Sequence, residues 1–287
     1  MIIDSRPSLE EFLAAPIEKV AQVAPATMIY ATGGTRRAAA LAGIPIGDEY
    51  PRWSHPYMLK SLELIFRFGV CHLIAPAGRP QIFAERSLYR QRVLYWMKWG
   101  LAGSESLDFY RAANWRVRLV VAGARIPELA DIADTLDEAT SAATGPNLWF
   151  FTTLDYEQLW SWIGRAFISG ARTRAEAVRV LFGDDIPPAN LLLSFGKPLV
   201  ALDHLPPFLF KEIQCYWTQR PGYSLTEREL RTILYDYAYL RSTWRQDKTG
   251  RAEESLVHRA AWENGPTIGL GTHLGPFWYP APIHPPE

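Results

Sequence analysis

Short apolar runs alternate with helical stripes along most of the chain. Ala26 to Thr32 is apolar or weakly polar throughout and runs into Gly33-Gly34, which predicts a buried strand followed by a tight turn. Further strands are expected over Val70 to Ala75, Trp115 to Ala122, Leu148 to Thr153, Asn190 to Phe195 and Ile213 to Thr218. Between them the spacing turns helical. Ser8 and Glu11 have capping-box spacing and open a helix to about Val20. Thr35 is placed to cap a helix from Arg36 to about Ala42, and Met58, Leu62, Ile65 and Phe66 recur at helical intervals within Tyr57 to Phe68. Helices are also expected over Ala84 to Ala113 with a break near Gly100 to Gly103, over Pro127 to Ala142, Asp155 to Ser169 and Thr173 to Leu181, and from Thr226 to about Arg241. Asp48, Glu49, Tyr50, Trp53 and His55 fall in a stretch that reads as a polar and aromatic loop, and the Pro-rich residues 276–287 read as an extended arm.

This order of strands and helices implies an α/β fold, with a mostly parallel central sheet flanked by helices. No linker or internal repeat divides the 287 residues, so a single domain over 1–287 is expected.

Composition narrows the partners. Thirty Lys plus Arg balance 30 Asp plus Glu, which removes the bulk electrostatic drive toward nucleic acid or an anionic membrane. No segment approaches the roughly 18 apolar residues of a membrane helix, so no stable membrane insertion is expected. Cys71 and Cys215 have no metal-ligand spacing, and the early charges Asp4, Arg6, Glu10 and Glu11 interrupt any secretory signal; both point to a cytoplasmic protein. Eleven tryptophans make an interior suited to a hydrocarbon ligand or a carbocation.

The candidate chemistry sits at Tyr30-Ala31-Thr32-Gly33-Gly34-Thr35-Arg36-Arg37. A strand delivers two glycines and then a helix start, where free backbone N–H groups favour an anion. The glycines allow close approach, and two guanidinium groups supply planar donors for phosphate oxygens. The run lacks the third glycine of a dinucleotide fingerprint and the Gly-Lys-Ser/Thr of a P-loop.

This segment resembles the diphosphate-binding motif of the cis-prenyltransferases, and more closely the Asp-Gly-Thr-Arg-Arg motif of their terpene-synthase branch, the tuberculosinol and kolavelool synthases. The likeness continues through Leu9-Glu10-Glu11-Phe12-Leu13, Tyr50, Thr226 to Arg241, Gly269-Leu270-Gly271-Thr272-His273 and Phe277-Trp278. It implies an isoprenoid diphosphate substrate held by Gly34, Thr35, Arg36, Arg37 and, from Ser194-Phe195-Gly196-Lys197, by Lys197. Tyr50 joins Arg36 and Arg37 as a catalytic candidate that could direct water capture or proton loss. Trp53, Tyr57 and Trp96 are candidates for the hydrocarbon pocket, and His273 has positional support. The resemblance also implies a homodimer.

One departure matters. The family's aspartate falls on Gly33, which offers no ligand, so Mg2+ binding through this position is lost and Mg2+ stays an open cofactor. Asp48 or Glu49 could supply a replacement carboxylate. His55, His72, His204, His258 and His273 show no metal-cluster spacing. The expected activity is a terpene synthase that ionises a prenyl or bicyclic, diterpenyl diphosphate and ends in water capture or proton loss. Prenyl transfer onto a non-isoprenoid acceptor is the first alternative, and a non-catalytic subunit partnering an active enzyme is the second.

Overall fold

The computed structural model describes residues 6–85, 88–196, 205–241, 247–275 and 277–280. Among these, six strands form one parallel sheet: β1 (Thr27–Ala31), β2 (His72–Gly78), β3 (Arg116–Ala122), β4 (Asn147–Thr153), β5 (Ala189–Phe195) and β6 (Phe210–Thr218). Their order is β3-β4-β2-β1-β5-β6. All six expected strands are present. In the middle, Met28 of β1 lies beside Leu73 of β2 and Tyr30 beside Leu193 of β5.

The helices are α1 (Leu9–Ala14), α2 (Ile17–Ala21), α3 (Thr35–Leu41), α4 (Glu49–Arg67), α5 (Pro80–Ala84), α6 (Leu88–Ala102), α7 (Ser104–Ala112), α8 (Pro127–Thr140), α9 (Tyr156–Ile168), α10 (Arg174–Phe182), α11 (Glu227–Tyr235), α12 (Arg251–Val257) and α13 (Arg259–Glu263). Two short strands, β7 (Gly271–Leu274) and β8 (Phe277–Pro280), close the described chain.

Alternation along the strands divides the core into two. Met28, Tyr30, Leu73, Phe150, Leu193 and Phe195 face α4, α6, α7, α8 and α11. Ile29, Ile74, Trp149, Phe151 and Leu192 face α9 and α10. The side chains of Leu62 and Ile65 on α4 are fully enclosed, each worth about 1.5–3 kcal/mol of apolar burial.

This layering places a crevice. The chain leaves β1 through α3 and α4 on the first face, whereas the connection from β5 to β6 contributes Leu205 and Leu209 to the second. Adjacent strands whose exits diverge to opposite faces leave a gap beyond their carboxyl ends, where ligands of parallel sheets bind. Both the Gly33-Gly34 turn and Gly196 lie there.

Several local expectations are corrected. The first helix is two, because Pro16 interrupts it. The loop containing Glu49, Tyr50, Trp53 and His55 is the first two turns of α4, with Asp48 at its N-cap. Pro51 stands in the first turn, where its missing N–H has no intrahelical partner. Beyond it Ser54, His55, Met58 and Leu59 are buried, and that packing keeps the helix continuous through Pro56. The C-terminal helix changes at Asp236 into a π turn over Asp236–Leu240. There Asp236 accepts from the Tyr216 hydroxyl at 2.6 Å and pairs with Arg241 at 2.5 Å, holding the irregular turn against β6. Part of the expected extended arm, Phe277–Pro280, pairs antiparallel with β7, and Gln219 anchors it by donating to the Trp278 carbonyl at 2.8 Å. Residues 281–287 lie outside the described residues. Among the described residues no helix is long and apolar enough to cross a membrane.

Candidate active site

The turn after β1 is built by close backbone approach. A Cβ on Gly33 would stand 2.3 Å from the Phe195 carbonyl oxygen of β5, and Gly222, beyond β6, donates its N–H to the Gly33 carbonyl at 2.7 Å. Gly34 takes the left-handed conformation (φ 73°) and is the N-cap of α3, so Thr35 is the first helical residue rather than the cap expected for it. Its hydroxyl is therefore not used on the helix and meets the Tyr50 hydroxyl at 2.5 Å.

Arg37 folds back over this turn. Its Nη2 would be 2.7 Å from a Cβ on Gly34 and 3.0 Å from one on Gly196, so glycines on both sides make room for one guanidinium. Arg36 is exposed on the next position, with its guanidinium carbon 5.3 Å from the centre of the Tyr89 ring. Because α3 has only seven residues, its dipole is short, and the cationic field comes mainly from the two arginines.

The half-buried Tyr50 reaches this turn from α4 and packs edge-on against Trp96 at 5.0 Å. Burial pushes its hydroxyl pKa up, while Thr35 and Arg36 oppose the shift. At neutral pH it is a hydrogen-bond donor or acceptor and not a phenolate. Trp53 and Tyr57 pack together at 5.0 Å and follow Tyr50 along the same helical face at i+3 and i+7. Tyr57 is 47% exposed and belongs to the rim rather than to an enclosed pocket.

The structure thus gathers Gly34, Thr35, Arg36, Arg37, Tyr50 and Trp96. Lys197 follows Gly196 but lies outside the described residues. His273 is exposed on β7 opposite Trp278. His55 is a core residue: its Nε2 lies 2.6 Å from Ser106 Oγ, burial lowers its pKa, and Glu105 lies 3.8 Å from Nδ1. Ser106 is sealed from solvent and donates to the Gly100 carbonyl, so this group is not a nucleophile with its base. Among the described residues no three His, Cys, Asp or Glu side chains come together. Asp48 and Glu49 are both exposed, and Gly33 has no space for a side chain. Among the described residues the donor set does not fit a protein-held Mg2+ ion.

Two residues escaped the sequence reading. Tyr89, under Arg36, sits in a helix without distinctive spacing. Tyr223 follows Gly222 with φ 69°, a conformation rare for a residue with a side chain. It directly follows the Gly222–Gly33 clamp, a contact between segments far apart in sequence.

The buried tyrosines carry a pH signature. Tyr30 and Tyr110 are 1% and 0% exposed, and burial raises both pKa values well above the usual tyrosine range. Unfolded, each ionises near pH 10, whereas in the fold each stays protonated. The unfolded chain then binds fewer protons, and stability falls as pH rises, by about 1.4 kcal/mol per unit for each residue. Urea midpoints measured at pH 9 and pH 11 are expected to drop accordingly, with a shallower drop in Tyr30→Phe.

Two solved structures share the architecture. A lavandulyl diphosphate synthase from Lavandula x intermedia, in complex with dimethylallyl diphosphate, matches with a TM-score of 0.59 at 15% identity, over 78% of this chain and 98% of that one. A probable undecaprenyl diphosphate synthase from Campylobacter jejuni matches with a TM-score of 0.55 at 14% identity, over 76% and 97%. The fold is that of the cis-prenyltransferases. No family model matches the chain. Among curated proteins, a (+)-kolavelool synthase from Herpetosiphon aurantiacus is 48% identical over 277 residues, 96% of both chains. A tuberculosinyl adenosine transferase from Mycobacterium tuberculosis is 27% identical over 255 residues, 82% of this chain and 83% of that one. The chain belongs to the kolavelool synthase family, terpene synthases built on the cis-prenyltransferase fold.

Proposed function

We propose that the protein ionises a diterpenyl diphosphate, prenyl or already bicyclic, at the β1–α3 turn and releases an alcohol or an olefin. The observation that carries this reading is the guanidinium of Arg37 seated between Gly34 and Gly196, where β1 and β5 part. There it faces the charge that grows on the leaving group as the carbon–oxygen bond breaks, and stabilisation that grows with the reaction lowers the barrier. Arg36, the amides of Gly34 and Thr35, and Lys197 complete the diphosphate contacts. Tyr50, fixed by Thr35, lies where a cation would form, and Trp96, Trp53 and Tyr57 offer aromatic faces to it. The described residues of this turn offer Mg2+ no cluster of carboxylates; a cation that accompanies the substrate would be held by phosphate oxygens.

Incubation with farnesyl, geranylgeranyl and bicyclic diterpenyl diphosphates, followed by mass spectrometry, tests the reading. A terpene product without added acceptor supports it. Product only when an acceptor such as a nucleoside is present would favour prenyl transfer, the activity named for the Mycobacterium tuberculosis relative. No consumption of any diphosphate would overturn the assignment.

The protein acts as a cytoplasmic homodimer in this reading. Support comes from residues 251–274, where α12, α13 and β7 expose Leu256 (65%), Trp262 (74%) and Ile268 (74%) without covering them from their own chain. Trp262→Glu is expected to halve the mass seen by light scattering, while wild type remains a dimer.

A further inference from the structure

Helix α6 is both basic and apolar on the side that faces away from the core. Between Glu85 and Glu105 the chain carries Arg86, Arg90, Arg92 and Lys98 and no acidic residue, although charges balance over the whole sequence. The inner side of α6 is core, where Val93, Leu94, Met97 and Leu101 are buried. On the outer side Leu88, Arg92 and Tyr95 stand at i, i+4 and i+7 and form one exposed stripe. Leu88 is 78% exposed and Tyr95 55%. A surface helix normally turns polar residues outward. Here a leucine and a tyrosine stand in water instead. Arg92, between them, makes no hydrogen bond or ion pair among the described residues.

This stripe borders the candidate site. Trp96, next to Tyr95, packs on Tyr50, and Tyr89, next to Leu88, lies under Arg36. Helices α3 and α4, which supply Arg36 and Tyr50, add exposed apolar side chains of their own at Leu41 and Tyr57.

Resting for its purpose on the diphosphate-ionising reading above, we propose that α6 docks the protein on an anionic lipid surface, from which an amphiphilic diphosphate passes to Arg36 and Arg37. The helix lies along the headgroups and does not cross them. Its chemistry selects this occupant. Leucine and tyrosine favour the boundary between headgroups and acyl chains, and a basic side chain between them meets lipid phosphates. A second copy of this chain fits less well. A twofold contact through α6 would set the two Arg92 side chains close together, with no acidic residue from 86 to 104 to separate them. A diterpenyl diphosphate carries its charge at headgroup depth and its hydrocarbon among the acyl chains. A cationic turn beside the docked helix meets it charge first, as it leaves the bilayer.

The test is flotation of the full chain with vesicles of phosphatidylcholine, alone or mixed with phosphatidylglycerol. Wild type is expected to bind the mixed vesicles at least about tenfold more tightly, the order expected when two or more basic side chains reach an anionic surface. High salt should erase that preference. Leu88→Ser combined with Tyr95→Ser should weaken binding to mixed vesicles by about tenfold, and Arg92→Glu should remove most of the preference for phosphatidylglycerol. All three positions are exposed, and circular dichroism confirms folding. If the double variant does not fold, Arg92→Glu and the comparison of lipids decide. Turnover of substrate dispersed in detergent should match wild type in each variant, while turnover of substrate carried in mixed vesicles falls with binding. Wild type that binds neither vesicle, or both equally, overturns the docking surface. So do folded variants that bind within twofold of wild type, and a double variant with half the wild-type mass by light scattering, which would make α6 a contact between copies. Those results leave ionisation standing. A protein that binds mixed vesicles but releases diphosphate from no substrate keeps the docking surface and loses the ionisation reading.

Discussion

Arg37→Ala is expected to lower kcat/KM for the diphosphate substrate by about 10²–10³, the usual cost of removing one preorganised donor from a developing anion. The expectation rests on how little freedom the residue has. Its guanidinium is confined between Gly34 and Gly196, so it faces the leaving group without a reorganisation cost during the reaction. Arg36→Ala should cost less, because Arg36 is exposed and its partner is a Tyr89 ring rather than a backbone cleft. Arg37→Lys restores the charge but not the planar fork and should recover only part of the loss. Diphosphate release, followed in parallel with product, reads all three variants. An Arg37→Ala enzyme within threefold of wild type would remove the cradle from the mechanism.

Gly33→Asp, which puts back the aspartate of related motifs, is expected to damage the protein rather than to improve it. The new Cβ would meet the Phe195 carbonyl oxygen at 2.3 Å, a distance that only movement of β1 against β5 can relieve. Such overpacking costs about 1–3 kcal/mol, a fall in Tm of roughly 2–10 °C for a chain of this size. Gly33→Ala should fall by a similar amount, since the first carbon causes the clash. Neither variant should gain stimulation by Mg2+. A Gly33→Asp protein that melts like wild type and turns over faster with Mg2+ would contradict this account of the turn.

Much of the fold was legible because its strands are short, apolar and bounded by turn formers, and because three of the described helices open with capping boxes. Ser8 forms the capping box expected from its spacing with Glu11, and Thr173 and Thr226, both expected helix starts, form boxes with Glu176 and Glu229. The start of α4 was not legible. Pro51 and Pro56 argue locally for a loop, and only the burial of His55, Met58 and Leu59 reverses that. The cradle was half legible. Glycines and arginines after a strand announce an anion site, but the identity of the cap at Gly34 and the clamp from Gly222 depend on tertiary contacts. Tyr223 shows the limit most clearly: nothing within a few residues of it marks the conformation that turns it toward the core.

Gly34 and Gly196 flank Arg37 and Gly222 clamps the neighbouring Gly33, and no local segment contains them all. Recognition of the diphosphate is therefore delayed until the whole central sheet has assembled, and fragments of the chain would bind none. By mass action the reverse also holds: a bound diphosphate favours the complete fold over any partly opened state. Substrate supply and the lifetime of this enzyme against proteolysis are in that way thermodynamically linked.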